Sequence, residues 1–248
     1  MIELLLIGIG TGNPDHVTLQ GIKAINAADL ILIPRKGPDK ADLAELRWRI
    51  CAAVLTNPAI QVVEFDLPMR DVASPDYLAG VEAWHDATAA VWREKVQETI
   101  GLQGCVAMLV WGDPSLYDST LRIAARLAWP VKVIPGITAI QALTAAHGIA
   151  LNGLGAPVLI TTGRQLRDHG WPAGVDTLVV MLDGHCAFQT LDPKGISIWW
   201  AAYVGMAGQI LRKGSLAGVA ADIIEVRAKE RATHGWIMDI YLLRRDHD

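Results

Sequence analysis

Short aliphatic runs alternate with longer amphipathic stretches along the first half of the chain. Five runs predict buried strands, at residues 3–9, 30–33, 61–65, 106–111 and 131–134. Three stretches with helical spacing of apolar side chains lie among them, at residues 18–28, 40–55 and 76–100, and Thr18 is a candidate N-cap. This alternation predicts an α/β fold with a parallel sheet and right-handed crossovers.

The pattern changes after Pro135 and Gly136. A helix is predicted at residues 138–147, and strands follow at residues 158–161, 177–182, 197–202, 209–213 and 236–243. Several of these strands are joined by loops too short for a crossover helix, so the second sheet should be mixed. We therefore expect two domains, an N-terminal parallel-sheet domain at residues 1–135 and a C-terminal mixed-sheet domain at residues 136–248.

Composition narrows the class of protein. Apolar residues make up 52% of the chain and charged residues 19%, as in a globular protein. The net charge of −4 and the absence of a long basic run argue against a nucleic-acid partner. The cysteines are odd in number and far apart, the histidines show no metal-ligand spacing, and no signal peptide or membrane-spanning segment is evident. We expect free thiols, no metal and a cytoplasmic location.

A glycine-rich turn, Gly-Ile-Gly-Thr-Gly, follows the first predicted strand. Gly8, Gly10 and Gly12 would permit a tight turn and close approach of a ligand. A Rossmann dinucleotide site or a Rossmann-like methyltransferase would need an acidic residue at the end of the second strand, where this chain has Pro34. A plain turn without a ligand is the third interpretation, and the motif alone does not decide.

Two further motifs follow the fourth and fifth strands. Residues 110–117 read Val-Trp-Gly-Asp-Pro-Ser-Leu-Tyr, and residues 133–139 read Val-Ile-Pro-Gly-Ile-Thr-Ala. Loops at the carboxyl ends of parallel strands are where open α/β sheets bind ligands. Thr138 is able to cap the next helix or to contact a ligand, and an Asp-Pro turn is common in proteins, so neither motif is specific alone.

Together, in this order and spacing, the three motifs resemble those of the tetrapyrrole (corrin and porphyrin) methylases. Residues 209–216, Gln-Ile-Leu-Arg-Lys-Gly-Ser-Leu, are similar to a late stretch of that family. The resemblance implies a two-domain methylase-like architecture, S-adenosylmethionine as methyl donor, S-adenosylhomocysteine as product and a homodimer. The implied substrate is a tetrapyrrole, which in the corrin branch is a precorrin.

Residues 36–43, 82–85 and 233–236 resemble those of the deacetylating members of the family. These members methylate precorrin-5 at C1 and release acetate. Another precorrin C-methyltransferase remains an alternative. The family's usual proline and aspartate in the first loop are Thr11 and Asn13 here, and Pro34 stands where uroporphyrinogen methylases have an aspartate, so the chemistry of those relatives does not transfer whole.

The resemblance also implies site residues. The expected cofactor contacts come from both halves of the chain: Thr11, Trp111, Gly112, Asp113, Leu116, Tyr117, Thr138, Ala139, Leu182, Val204 and Thr233. Arg35 and Lys36 are expected to bind substrate carboxylates, ahead of Arg47, Arg49 and Arg70. Tyr117 and Asp183 are the candidate catalytic groups for deacetylation, with His16 and His185 left open.

Overall fold

The computed structural model describes residues 1–35, 41–70 and 76–246. The chain divides into two compact units, Met1–Thr138 and Ala139–Asp248. The sequence predicts the division after residue 135. In the structure the turn after the fifth strand belongs to the first unit, so the division comes three residues later. No helix in the described ranges is long and apolar enough to cross a membrane.

The first unit is a five-stranded sheet covered by helices. Its strands are β1 (Ile2–Gly8), β2 (Leu30–Arg35), β3 (Gln61–Asp66), β4 (Gly104–Val110) and β5 (Val131–Ile134). Its helices are α1 (Leu19–Ala27), α2 (Ala41–Val54), α3 (Tyr77–Ile100) and α4 (Thr120–Ala124). All strand pairs are parallel, in the order β3-β2-β4-β1-β5. The parallel sheet is confirmed, and the short helix α4 is an addition.

Alternation along β1 builds two apolar cores, one on each face of this sheet. Leu4 and Leu6 belong to the core that α3 and α4 cover, whereas Leu5 and Ile7 belong to the core that α1 and α2 cover. Both faces are buried because helices lie on both, which is why the strands read as continuous aliphatic runs. Thr18 caps α1 as predicted, since its hydroxyl accepts a hydrogen bond from Gly21 N at 2.9 Å.

The strand order excludes both Rossmann interpretations of the glycine turn. In a doubly wound nucleotide-binding sheet β1 lies beside β2. Here β4 is inserted between β2 and β1, and β1 has β4 and β5 as its neighbours.

The second unit contains a mixed sheet. Its strands are β6 (Val158–Thr162), β7 (Thr177–Met181), β8 (Ile196–Ala202), β9 (Ile210–Ser215) and β10 (Asp239–Arg245). Its helices are α5 (Ala139–His147), α6 (Gly163–His169) and α7 (Leu216–His234). The order is β6-β7-β10-β8-β9, in which β6 and β7 are parallel and the other pairs antiparallel. The mixed sheet is confirmed, whereas α6 and α7 were not predicted.

All three cysteines are free, as expected from their number and spacing. Cys51 and Cys186 are buried, and Cys105 is partly buried. Burial raises the pKa of each thiol to about 11.

Candidate active site

The carboxyl ends of β1 and β4 lie at a switch point of the first sheet. These two strands are neighbours, but the helices that follow them pack on opposite faces: α1 contributes Ile25 to one core, and α4 contributes Ile123 to the other. Ligands of open α/β sheets bind where successive helices diverge in this way. Two of the three glycine-containing loops predicted from the sequence begin here.

Glycine backbones from three loops lie in direct contact at this switch point. A Cβ atom on Gly8 would lie 2.6 Å from Gly136 N and 2.7 Å from Gly112 O. A Cβ on Gly136 would overlap the same Gly112 carbonyl oxygen. Gly112 N donates to Gly10 O at 2.7 Å, and Gly10 N donates back to Gly112 O at 3.3 Å. Glycine is therefore required at Gly8 and Gly136 because no side chain fits.

Asp113 ties the loop after β4 to the turn after β5. Its Oδ2 accepts a hydrogen bond from Gly136 N at 2.9 Å, and its Oδ1 accepts one from Ser115 N at 2.8 Å. Partial burial acts to raise the pKa of Asp113, but these bonds and one from the Ser115 hydroxyl outweigh it, and the pKa lies below its usual range. Asp113 is therefore ionised when it holds the loop in place.

Gly112 leaves room at the centre of this loop. Its φ of +60° is left-handed, a conformation that glycine adopts without a steric penalty. A Cβ built on Gly112 would have Thr138 as its nearest neighbour, with Cα at 3.5 Å, an ordinary contact. The space above Gly112 and beside Thr138 is thus available to a ligand that approaches the backbone closely. A loop glycine permits close approach of a ligand, so the residues present are compatible with the S-adenosylmethionine that the resemblance implies.

The other predicted contacts of the first unit surround the same loop. Trp111 precedes Gly112 and is partly buried; Leu116 N donates to Asp113 O at 3.2 Å within the turn. Tyr117 has a left-handed φ of 49°, and 44% of its surface is exposed. A left-handed tyrosine is uncommon and marks a loop held by its surroundings. Burial of part of the ring raises the pKa of the Tyr117 hydroxyl.

Thr11 is directed into its own loop. Its hydroxyl lies 2.9 Å from His16 Nδ1, and Asn13 Oδ1 accepts a hydrogen bond from Asp15 N at 3.0 Å. The two residues that replace the family's proline and aspartate are therefore used within the turn that follows Gly10. Thr11 remains a predicted cofactor contact through the position of its backbone.

Arg35, predicted to bind substrate carboxylates, is paired with two carboxylates of the chain itself. Its Nε and NH2 donate to the two oxygens of Asp66, each at 3.0 Å, and NH1 lies 3.4 Å from Glu64. Hydrogen bonding and charge from Asp66 raise the pKa of Arg35. Its side chain is half exposed, so a substrate would compete with Asp66 for the guanidinium. Lys36 lies outside the described residues.

In the second unit, Leu182 directly follows β7 at the carboxyl end of that strand. It has a left-handed φ of 53°, and 66% of its surface is exposed. Tyr203, with a φ of 50°, and the buried Val204 follow β8. Ala139 is the first residue of α5 and Thr233 is near the end of α7, where its hydroxyl donates to Lys229 O at 2.9 Å. Their predicted contacts with the cofactor remain predictions.

Asp183 lies beneath Leu182 in a buried polar network, which disfavours its predicted role as a catalytic base. Its carboxylate accepts hydrogen bonds from the Tyr241 hydroxyl at 2.6 Å, from Ala187 N at 2.6 Å and from His185 N at 3.0 Å. Asp183 is 7% exposed. A carboxylate surrounded by three donors shapes its loop, and it is poorly placed to take a proton from substrate or water.

A second part of this network was not predicted from the sequence. Arg227 of α7 donates to the carbonyl oxygens of Asp183 at 2.7 Å and Gly184 at 3.3 Å, and its Nε bonds to Asp239 at 2.8 Å. The only signal in the sequence is an arginine among apolar positions of a helix. Burial raises the pKa of Asp239, although the bond to Arg227 opposes this shift.

Comparisons with known proteins show to which family the chain is similar. The family model described as Tetrapyrrole (Corrin/Porphyrin) Methylases matches residues 3–220. The chain is 46% identical over 254 residues to Precorrin-6A synthase [deacetylating] of Sinorhizobium sp, a match that covers 100% of this chain and 97% of that protein. It is 30% identical to Precorrin-2 C(20)-methyltransferase of the same organism over 60% of this chain and 59% of that protein.

Solved structures are similar over the full length. A putative cobalamin synthesis related protein (CobF) from Corynebacterium diphtheriae has a TM-score of 0.84 at 39% identity and is covered completely in both chains. Uroporphyrin-III C-methyl transferase from Thermus thermophilus complexed with S-adenosylhomocysteine has a TM-score of 0.60 at 19% identity, covering 98% of this chain and 97% of that one. The second likeness concerns the fold alone.

Proposed function

The chain belongs to the tetrapyrrole (corrin/porphyrin) methylase family, and from this membership we propose that it methylates precorrin-5 at C1 with loss of acetate. The product would be precorrin-6A, formed with S-adenosylmethionine as the methyl donor. The observation that carries this proposal is the 46% identity to a deacetylating precorrin-6A synthase, which extends over the whole chain.

The loop after β4 is the proposed site of the cofactor. Gly112 offers open space above its backbone, and Asp113 holds the loop to Gly136. Bound S-adenosylmethionine supplies an activated methyl group on its sulfonium, so the protein has mainly to align donor and acceptor. Alignment of reactants lowers a barrier by roughly 7–11 kcal/mol. Thr138, beside Gly112, is the proposed hydroxyl contact from the turn after β5.

Deacetylation needs water in addition to the methyl donor. Water would add its oxygen to the acetyl carbonyl carbon, the bond from that carbon to the macrocycle would break, and the electron pair would return to the ring system. Methyl transfer and release of the acetate anion together leave two protons, both from the water, to be removed. Tyr117, which is 44% exposed and has a raised pKa, remains protonated at neutral pH, so it is suited to donate a hydrogen bond to the acetyl oxygen.

Mass analysis of an incubation with precorrin-5 tests the proposal. The purified chain, given S-adenosylmethionine, should yield a product that has gained one methyl group and lost the acetyl group, together with equal amounts of S-adenosylhomocysteine and acetate. A reaction without S-adenosylmethionine controls for non-enzymatic loss of acetate. Methyl gain with the acetyl group retained would indicate another precorrin C-methyltransferase, and no methyl gain would contradict the proposal.

Three further expectations accompany this function. The homodimer and the cytoplasmic location implied by the resemblance stay predictions, and light scattering of the purified chain tests the first. In the described part of the chain, no three or more side chains of His, Cys, Asp and Glu are grouped to hold a metal ion. That the reaction needs no metal also stays a prediction, and activity after dialysis against a chelator tests it.

A further inference from the structure

Pro34 creates an irregularity in the ladder between β2 and β4. The register pairs Leu30 with Val106, and the pairing ends at Leu32 with Met108. Carbonyl groups along a strand point alternately to its two neighbours, and Val110 O accepts its bond from Ile9 on the β1 side. Leu109 O therefore faces β2.

The register gives the donor that Leu109 O would normally receive. Two residues beyond Leu32 the ladder would continue with the N–H of residue 34, which is a proline and has none. β2 nevertheless continues, paired with β3, through Pro34 and Arg35. A carbonyl at the end of β4, two residues before the Trp111-Gly112 turn, is thus deprived of its backbone partner.

Arg47 of α2 supplies the missing donor. Its Nε donates to Leu109 O at 3.0 Å, and the residue is 8% exposed. Burying a guanidinium is costly, and burial lowers the pKa of Arg47 to about 10, although the negative charge of Asp118 opposes this shift. The hydrogen bond to Leu109 O offsets part of this cost, so Arg47 has a structural role: it takes the place of a backbone donor.

The same guanidinium also acts on the loop after β4, residues 111–118, by a ring contact with Trp111 and by its charge on Asp118. Its central carbon lies 5.0 Å from the centre of the Trp111 ring, within the range of a cation–π contact. Asp118, whose charge acts on Arg47, follows Tyr117 at the other end of the loop, where Thr120 N donates to its Oδ1 at 2.6 Å. Arg47 therefore interacts with the loop at its beginning and at its end.

We propose that Arg47 is a positioning residue for the cofactor loop, and that it compensates for the backbone donor that Pro34 removes. The inference rests on the proposed function, because it takes residues 111–118 as part of the S-adenosylmethionine site. Arg47 was a secondary candidate for binding substrate carboxylates, but a buried guanidinium bonded to Leu109 O acts on the substrate site only through the loop. Pro34 and Arg47 would be coupled, although one lies on β2 and the other on α2.

Isothermal titration with S-adenosylhomocysteine tests the coupling in four proteins: wild type, Arg47→Met, Pro34→Ala and the double variant. Methionine retains an apolar stem of similar length and removes the donor and the charge. We expect Arg47→Met to raise the dissociation constant by about tenfold or more, the scale of a lost bond from a charged group. Pro34→Ala alone should bind normally, because Leu109 O already has a donor.

The double variant is the decisive protein. Alanine at position 34 restores an N–H in register with Leu109 O, so the double variant should bind at least several-fold more tightly than Arg47→Met. Arg49→Met is the matched control, since Arg49 lies on the same helix, is mostly exposed and pairs with Glu45; its affinity should equal that of wild type. Melting temperatures recorded in parallel separate stability from binding, because loss of stability alone leaves the dissociation constant unchanged well below the transition.

Each outcome separates the inference from the function on which it rests. Failure of the wild type to bind S-adenosylhomocysteine would contradict the proposed function itself. Normal binding by Arg47→Met, or a double variant no better than Arg47→Met, would overturn the role of Arg47 and leave the function standing. If Arg47→Met does not fold, Arg47→Lys replaces it: a smaller loss of affinity is expected, Pro34→Ala should again reduce that loss, and unchanged affinity would contradict the proposal.

Discussion

The carboxylate of Asp113 accepts a hydrogen bond from the backbone N–H of Gly136 at 2.9 Å. The two residues lie on loops that follow β4 and β5, strands that are not neighbours because β1 lies between them. The bond therefore spans the end of β1 at Gly8, whose backbone the Gly112 and Gly136 backbones approach closely. Three motifs that are separate in sequence form one connected surface.

Replacing Asp113 with asparagine should weaken this connection. The amide can accept from Gly136 or from Ser115 through one oxygen only, so we expect unfolding to become easier by about 1.5–3 kcal/mol at neutral pH. The pKa of Asp113 is lowered in the folded chain, so its stabilising effect is present above the ordinary value of about 4 and is lost as pH falls through the lower folded value. Urea unfolding of both proteins at several pH values should therefore show a difference that shrinks at low pH. A constant difference would contradict this role of the charge.

Gly136→Ala should abolish binding of S-adenosylhomocysteine. Its methyl group would overlap Gly112 O and approach the backbone of Gly8, and backbone atoms cannot move aside as side chains do. The loops must separate, which alters the proposed cofactor site. Gly208→Ala is the control, because a Cβ on Gly208 meets nothing within 4 Å. Titration of both variants checks the prediction, and normal binding by Gly136→Ala would remove these loops from the site.

Arg35 and Asp66 offer a test of the predicted substrate contact. If Arg35 binds a substrate carboxylate, that carboxylate must displace Asp66, so Asp66→Asn should lower the KM for the precorrin and Arg35→Ala should raise it. The wild-type KM should also rise with salt, because screening weakens exposed charge pairs. Steady-state kinetics at two salt concentrations measure all three effects. An unchanged KM in both variants would show that Arg35 serves only its pairs with Asp66 and Glu64.

Tyr241→Phe should destabilise the second unit without a direct effect on chemistry. The variant removes the donor at 2.6 Å from Asp183 and leaves that buried carboxylate with its two backbone donors. Loss of a bond to a charged group should lower the free energy of unfolding by about 1.5–3 kcal/mol. Tyr77→Phe, at a tyrosine that is 55% exposed, is the control, and thermal unfolding measures both. Equal stability of wild type and Tyr241→Phe would contradict a structural role for the pair.

The periodicity of the sequence was sufficient to predict both sheets. Strands covered on both faces, such as β1 and β2, are recognisable because nearly all of their residues are apolar. A helix as long as α3 keeps its spacing over many turns. The three loop motifs were recognisable for a related reason. A glycine that packs against backbone, such as Gly136, cannot be replaced by a residue with a side chain. A loop that requires such a glycine can therefore be recognised in the sequence.

Helix α7 was missed because its apolar positions do not form one continuous stripe. Ile223 and Arg227 are both buried on it, and the arginine is kept inside by Asp239 and by backbone carbonyl groups that belong to other elements. Asp183 was predicted as a candidate catalytic group because an acidic residue after a strand looks available in the sequence. Only the fold brings the Tyr241 hydroxyl to its carboxylate.

The sequence by itself determined the two α/β units, the parallel and mixed sheets, and the family to which the chain belongs. Those properties depend on local periodicity and on glycines that no other residue can replace. Only the tertiary structure decided the partners of the charged groups. Arg35 faces Asp66, and Arg47 bonds to Leu109 O where Pro34 has no N–H. Such pairs depend on strand register and on helix packing, which join residues far apart in the chain, and no local pattern records them.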